Sequence, residues 1–322
     1  MAKTYWVGFD LGGTKMMATL YDERFRKQGA ARKKTKGNEG VEAGLQRIIR
    51  TITDSQQSAG LEPASVAGIG VGAPGLLDLD RGIILDTPNM GWRNVPLKAT
   101  LEKHFKCPVV IANDVDAGTY GEYRFGAGKK GRCVLGVFPG TGVGAGCVYE
   151  GRIIRGRTGS CMELGHFPVD MRGPVADVGR YGTLESMTSR LAISAQAAQA
   201  VYRGQAPALK ELAGTRLDRI KSGALATAIE QGDRVVEEIV RHAARVLGGT
   251  VAGVVNLLAP DVLVLGGGLV EALPRLYKQE VTAAIKANAM PPFAAGVSVA
   301  VAKLGDDAVV CGAAALAADA HT

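Results

Sequence analysis

The run VGFDLGGTKMMATLYD, Val7 to Asp22, places Asp10, Gly12, Gly13, Thr14 and Lys15 at one bend between two apolar segments. Glycines at such a bend let backbone N–H groups point at an anion, because a missing Cβ permits positive φ and close approach. Thr14 adds a hydroxyl donor, and phosphate is the guest that these residue types suit. Asp10 by itself would repel phosphate, so its presence makes sense with Mg²⁺ between the two, held largely through water and phosphate oxygens. A structural β-hairpin would use the same residue types.

The plan recurs at RCVLGVFPGTGVGAGCVYEGR, Arg132 to Arg152, where Gly140, Thr141 and Gly142 form the turn. Val7–Asp22 and Leu135–Glu150 both read apolar strand, Gly-Thr turn, apolar strand, then a tyrosine and an acidic residue. Neither is a P-loop, since G-x-x-x-x-G-K-[ST] is absent, and neither fits the dinucleotide fingerprint, which needs a strand feeding a helix. A third candidate stands where VVIA runs into Asn113-Asp114. A carboxylate there sits where a buried strand meets a helix, an edge from which α/β proteins display catalytic groups. Asp114 could equally cap the following helix.

Several elements must hold these residues. TYWVGFDLGG and MMATLYD predict a strand-turn-strand hairpin, VEAGLQRIIRTITDSQQSAG a helix with a glycine stop, and SVAGIGVGAPGLLD a buried strand entering a glycine-proline turn. CPVVIANDVDAGTYGEYRFGAG predicts another strand followed by a helix. From Thr183 to about Ala259 the pattern is predominantly helical. PDVLVLGGGLV then predicts a strand ending in three glycines, and DDAVVCGAAALAADA a small-residue helix packed on a domain face. Two similar hairpins far apart in the chain suggest two domains built on one supersecondary unit.

A length of 322 residues also exceeds what one hydrophobic core usually serves, which predicts two domains with a cleft. The 47% hydrophobic and 21% charged content is that of a soluble globular protein rather than a disordered or membrane one. Forty-four glycines are about twice average usage, which suggests tight turns or close approach of backbone to a ligand. The net charge of +7 and the run Arg24 to Lys36 raise the question of nucleic acid. Only Phe25 interrupts those charges for base stacking, so a solvated hairpin and loop is the better reading, with no nucleic-acid partner. Five cysteines without C-x-x-C spacing argue for free thiols in a reducing compartment. Asp10 arrives too soon for a signal peptide and no apolar run is long enough to span a membrane, so a cytoplasmic location is expected.

FDLGGTK, GVGAPGLLD, PNMGW, IANDVDAG, GTGVGAG, ELGH and LVLGGG together resemble the ROK family of sugar kinases and sugar-responsive repressors, in the family's order and from Val7 to Gly312. The resemblance implies an α/β fold of two ribonuclease-H-like domains of the actin/hexokinase type with an interdomain cleft. The smaller domain would comprise 1–113 plus 306–322, and the larger 114–305. It further implies ATP-dependent phosphorylation of a sugar hydroxyl with Mg²⁺, in a homodimer. Asp10, Gly12, Gly13, Thr14 and Lys15 match the first phosphate motif, Gly140, Thr141 and Gly142 the second, and Gly266, Gly267 and Gly268 the turn flanking adenosine. Asp114 matches the general base, and Asn89, Asn113, Glu163, His166 and Glu185 join it as sugar contacts.

PNMGW is similar to the N-x-G-W stretch of bacterial glucokinases, which makes glucose the first choice ahead of fructose, mannose, allose or an N-acetylhexosamine. Many family members bind structural zinc with three cysteines and the histidine. Here those positions fall on Ala176, Val178 and Thr183, which cannot ligate zinc, so no structural zinc is expected. His166 then needs another partner, for which Asp177, Tyr181 or a backbone carbonyl are candidates. Two alternatives accompany the ATP-dependent reading. The basic run could favour polyphosphate as donor, although GGTK and the triple glycine favour ATP. A sugar-responsive regulator fits less well, because the first phosphate motif begins too early to leave room for an N-terminal helix-turn-helix.

Overall fold

The computed structural model describes residues 4–60, 66–87, 89–157 and 159–321, so Pro88 of PNMGW lies outside the described residues. The chain divides into two units: Met1–Lys130 with Gly146–Cys161 and Asp306–Thr322, and Gly131–Ala145 with Met162–Gly305.

In the first unit β1 (Tyr5–Leu11) and β2 (Lys15–Asp22) form the expected hairpin, in register from Tyr5↔Asp22 to Leu11↔Met16. β3 (Lys27–Lys34) pairs with the far edge of β2 and alternates between exposed and half-buried residues, as a one-sided edge strand does. α1 (Val41–Gln57) follows, and then β4 (Gly68–Ala73), buried along its whole length and parallel to β1. The short strands β5 (Leu76–Asp78), β6 (Ile83–Thr87) and β7 (Trp92–Val95) make a separate sheet. α2 (Leu97–Phe105) leads to β8 (Val109–Asn113), parallel to β4, and β8 passes directly into α3 (Asp114–Phe125). The main sheet has the order β3-β2-β1-β4-β8. Phe9, Leu11, Ile48, Ile52, Ile69 and Trp92 belong to its principal core.

The glycine surplus has a cause beyond turns and ligand approach. The helix Ala308–Asp319 crosses β1 and β4 backbone to backbone. A Cβ on Gly8 would stand 1.7 Å from the Val310 carbonyl oxygen, and one on Gly70 1.8 Å from that of Ala313. On the same helix a Cβ on Gly312 would stand 1.8 Å from the Ala117 carbonyl oxygen of α3.

The basic run is largely neutralised within its own unit. Lys27 pairs with Asp307 at 3.6 Å, Arg32 with Asp306 at 2.7 Å, Lys33 with Asp54 at 2.6 Å and Lys36 with Glu39 at 3.0 Å.

The second unit repeats the plan. β9 (Cys133–Pro139) turns through Gly140–Gly142 into β10 (Val143–Tyr149), of which Val143 to Ala145 fall in this unit. Strand Val262–Leu265 lies parallel to β9, and Ser298–Val301 parallel to it in turn. In each unit, then, a hairpin is extended by two parallel strands, which is the structural content of the repeat visible in the sequence. The helix Arg234–Leu258 buries a stripe from Val236 to Val255 at helical spacing. Among the described residues no helix is long and apolar enough to cross a membrane.

Candidate active site

Strand register gathers the acidic candidates of the first unit. Asp10 lies opposite Gly72, Gly72 opposite Ala112, and Ala73 opposite Asn113, so Asp10 and the Asn113-Asp114 junction stand at one end of three neighbouring parallel strands. Ligand sites of α/β sheets form outside such strand ends. Gly72 makes room there, since a Cβ on it would approach Val309 Cγ1 to 2.4 Å and Asp114 Cα to 3.4 Å. The cap of α3 is Asn113, whose Oδ1 accepts from the N–H groups of Val115 at 2.9 Å and Asp116 at 3.3 Å. Asp114 is the first helical residue, and its Oδ1 also accepts from Val115 N–H, at 2.9 Å. The capping role weighed for Asp114 thus belongs to its neighbour, and the Asn113 amide keeps its NH₂ as the group able to donate to a ligand.

Burial, and after it the negative charge of Asp114, push the Asp10 carboxyl up from 3.8 to about 7, against the opposing pull of Lys15 and Arg32. A raised native pKa means that the folded chain binds this proton more tightly than the unfolded chain does. Asp10 therefore contributes nothing below pH 4, and its ionisation destabilises the native state progressively as pH rises towards 7. Without nucleotide or divalent cation, Asp10→Asn is expected to raise stability at pH 8 by on the order of 2 kcal/mol and to leave it unchanged at pH 4, in denaturant titrations at both pH values. An equal gain at both would remove the ionisation argument.

The bend between β1 and β2 is shaped by crowding rather than by positive φ, because neither Gly12 nor Gly13 is in the left-handed region. A Cβ on Gly12 would stand 2.6 Å from the Lys15 carbonyl oxygen. Thr35, a buried residue that motif reading did not single out, fastens the bend: its Oγ1 donates to Gly12 O at 2.5 Å and its N–H to Thr14 O at 2.8 Å. Asn89 stands next to the bend, its Cβ 3.6 Å from where a Cβ on Gly13 would be. Trp92 of the same NMGW stretch is core, its indole N–H donating to Gly37 O at 3.2 Å, so it can act on a ligand only through the turn that carries Asn89. The Lys15 ammonium contacts both carboxylate oxygens of Asp306, at 3.0 and 3.1 Å.

Among the described residues no three His, Cys, Asp or Glu side chains are grouped as a protein-held metal would require. The donor set at the bend suits a hard cation carried by phosphates: a single carboxylate, Asp10, whose ionisation is disfavoured by burial and by a second carboxylate and would be restored by a dication.

In the second unit a cavity of about 300 Å³ is lined by Thr141, His166, Thr183, Glu185, Ser186 and Ser189 among others, which brings together residues of three separate motifs. Glu185 Oε2 accepts from Val143 N–H at 2.8 Å, and a Cβ on Gly142 would stand 2.3 Å from that oxygen. As at the first bend, Gly140 and Gly142 have no positive φ; the space taken by Glu185 is what demands a glycine at 142. Gly266 and Gly267 pack on the end of β9, where a Cβ would meet the Phe138 ring at 2.6 Å and the Pro139 carbonyl oxygen at 2.8 Å, and Gly267 has φ +79°. Gly268 begins the helix Gly268–Ala272. Glu163 is the N-cap of a 3₁₀ turn whose last residue is His166, with His166 Nε2 4.0 Å from Glu163 Oε2.

The loop between His166 and Glu185 is closed by backbone. Val169 N–H donates to Gly182 O at 2.8 Å, Gly182 N–H to Pro174 O at 2.7 Å and Leu184 N–H to Phe167 O at 2.9 Å. Strands Val175–Asp177 and Arg180–Tyr181 pair across its tip. Of the candidate partners for His166, Asp177 is engaged by Arg180 Nη2 at 2.6 Å. Of the three positions where family zinc ligands would fall, Thr183 is an N-cap, its Oγ1 accepting from Ser186 N–H at 3.3 Å.

Two units with hairpin-plus-parallel sheets and glycine turns beside acidic strand ends define the class of fold, and comparison with known proteins gives the family. Residues 6–320 match the ROK family, and the chain belongs to it. It is similar to a glucokinase of Thermotoga maritima, 33% identical over 322 residues and 98% of each chain. Its fold matches the crystal structure of a ROK family glucokinase from Streptomyces griseus in complex with glucose and AMPPNP, with a TM-score of 0.83, 31% identity and coverage of 98% of this chain and 99% of that one. The fold is accordingly the mixed α/β, actin/hexokinase-like fold of the ROK glucokinases. A xylose repressor of Caldicellulosiruptor bescii is 28% identical over 278 residues, 86% of this chain and 69% of the repressor.

Proposed function

We propose that this protein is an ATP-dependent hexose kinase that converts glucose to glucose 6-phosphate, with Asp114 as general base. The observation that carries the reading is Asp114 directly after β8, at the end of the sheet where Asp10 stands and near enough to raise the Asp10 carboxyl. Asp114 accepts the proton of the sugar hydroxyl as its oxygen attacks the γ-phosphorus. A carboxylate of ordinary basicity suffices, because the phosphoryl transition state is loose and proton transfer can be late. Asn89, Asn113, Glu163, His166 and Glu185 hold the remaining hydroxyls, and a wrong epimer leaves one of them unpaired. The turns at Gly12–Lys15 and Gly140–Gly142 offer N–H groups and hydroxyls to phosphate oxygens, and Gly266–Gly268 flanks the adenosine. Asp10 would hold Mg²⁺ through water, and the ion when bound neutralises phosphate charge.

The similarity to proteins named glucokinase, one of them crystallised with glucose and AMPPNP, supports both the sugar and the donor. The pairing of Lys27, Arg32, Lys33 and Lys36 with carboxylates of their own unit weakens the case that the basic run serves a polyphosphate donor. A homodimer in a reducing cytoplasm, where the five free thiols persist, completes the proposal.

The test is an ADP-release assay across glucose, fructose, mannose, allose and N-acetylated hexosamines, with glucose phosphorylation from polyphosphate measured in parallel. Glucose with ATP is expected to give the highest kcat/KM. A different best sugar corrects the substrate alone, and sugar binding without turnover on any of them moves the protein to the sugar-responsive regulators represented by the repressor relative.

A further inference from the structure

The segment from Glu185 to Arg190 is tied to the Gly140–Gly142 turn at both ends. At one end Glu185 Oε2 accepts from Val143 N–H at 2.8 Å. At the other, Arg190 N–H donates to Gly140 O at 2.8 Å, and Arg190 Nη2 donates to Thr141 Oγ1 at 3.0 Å. Two opposite charges therefore flank one turn. The carboxylate engages an N–H just past Gly142 and lies against bare backbone, so an anion arriving at this turn meets a negative charge at close range. Arg190 is the group placed to offset it. Among the described residues its guanidinium is hydrogen-bonded to the Thr141 hydroxyl rather than to a carboxylate. A guanidinium has five N–H donors in a fixed fork, and the bond to Thr141 uses one of them. Thr141 Oγ1 accepts from Arg190, so its own hydroxyl hydrogen is still there to donate.

Resting on the reading of this turn as a phosphate contact, we infer that Arg190 binds the polyphosphate tail of the nucleotide at the Gly140–Gly142 turn. It does so directly through its remaining N–H groups and by orienting the Thr141 hydroxyl. Motif matching did not flag this residue. It lies well after the turn in sequence, at the start of a helix whose register, not any glycine pattern, brings it back to the turn.

The test compares full-length wild type, Arg190→Gln and Arg190→Lys in steady-state kinetics with ATP and glucose. AMP serves as a competitive probe of the nucleoside part. Arg190→Gln is expected to raise KM for ATP about tenfold or more, the loss of charge-assisted hydrogen bonds to phosphate. KM for glucose and inhibition by AMP should stay within about twofold, and Arg190→Lys should recover part of the ATP affinity, since it keeps the charge without the fork. Raising ionic strength should weaken ATP binding more in wild type than in Arg190→Gln. An unchanged KM for ATP in Arg190→Gln, or an equal rise for glucose, overturns the inference while the kinase reading stands. If Arg190→Gln does not fold, AMPPNP titration of Arg190→Lys decides, and wild-type affinity there also overturns it. A wild-type protein that fails to bind AMPPNP removes the phosphate reading of the turn and the inference with it.

Discussion

Replacing Asp114 with asparagine is expected to lower kcat by about 10³-fold, the middle of the range for loss of a positioned proton acceptor, while glucose binding stays measurable. The substitution is nearly isosteric, and it spares the start of the helix that follows. Asn113, not Asp114, caps α3, and an asparagine oxygen can still accept the Val115 N–H. The change has a second readout. Asp114 is the largest charge contribution raising the Asp10 carboxyl, so Asp114→Asn should bring that group down from about 7. Rapid-quench single-turnover kinetics would isolate the phosphoryl step, glucose titration calorimetry would follow binding, and carboxyl titration by NMR would follow Asp10. A variant turning over at the wild-type rate would falsify the assignment of Asp114 as base; one that neither turns over nor binds glucose would place Asp114 in sugar binding alone.

Gly70→Ala is expected to cost roughly 3 kcal/mol, the upper part of what overpacking a close-packed interior costs, and to leave much of the protein insoluble at growth temperature. The added methyl would sit 1.8 Å from a carbonyl oxygen of the helix Ala308–Asp319, a rigid neighbour unable to rotate aside. Relief requires the helix to lift from β1 and β4, and Gly8 and Gly312 hold the same helix at equally close range. The matched control is Gly253→Ala, on an exposed position of the helix Arg234–Leu258 with no atom within 4 Å of the added Cβ. There the change should raise stability by about 0.5–1 kcal/mol, because alanine loses less backbone entropy in a helix. Guanidinium titrations of both variants decide the matter. Equal small effects would mean that the helix-to-sheet distance is softer than the packing implies.

Local chemistry made much of this protein readable from its residues alone. The alternation of apolar and small residues on either side of Gly12-Gly13 specifies a hairpin whatever it packs against, and VVIA followed by Asn-Asp specifies a strand handing over to a capped helix. The duplicated Gly-Thr plan foretold two units with the same strand arrangement, and the order of seven short motifs was enough to indicate the family. The hairpin, the strand-to-helix junction and each short motif depend on residues within a turn or two of one another, where backbone preference and hydrophobic period act without help from the rest of the chain.

What tertiary structure decided lies in pairs distant along the chain. Gly142 is a glycine because of Glu185, whereas the turn composition alone pointed to positive φ. Lys15 finds Asp306 across 291 residues, and Asp10 acquires a pKa of about 7 from burial and from Asp114 on another strand. The basic run meets its carboxylates only once β3 is laid on the sheet, and Arg190 returns to the second turn only once its helix is placed. Charge and contact fall off over a few ångströms of space and take no account of sequence separation, so the residue types announced the chemistry while the fold chose which groups perform it together.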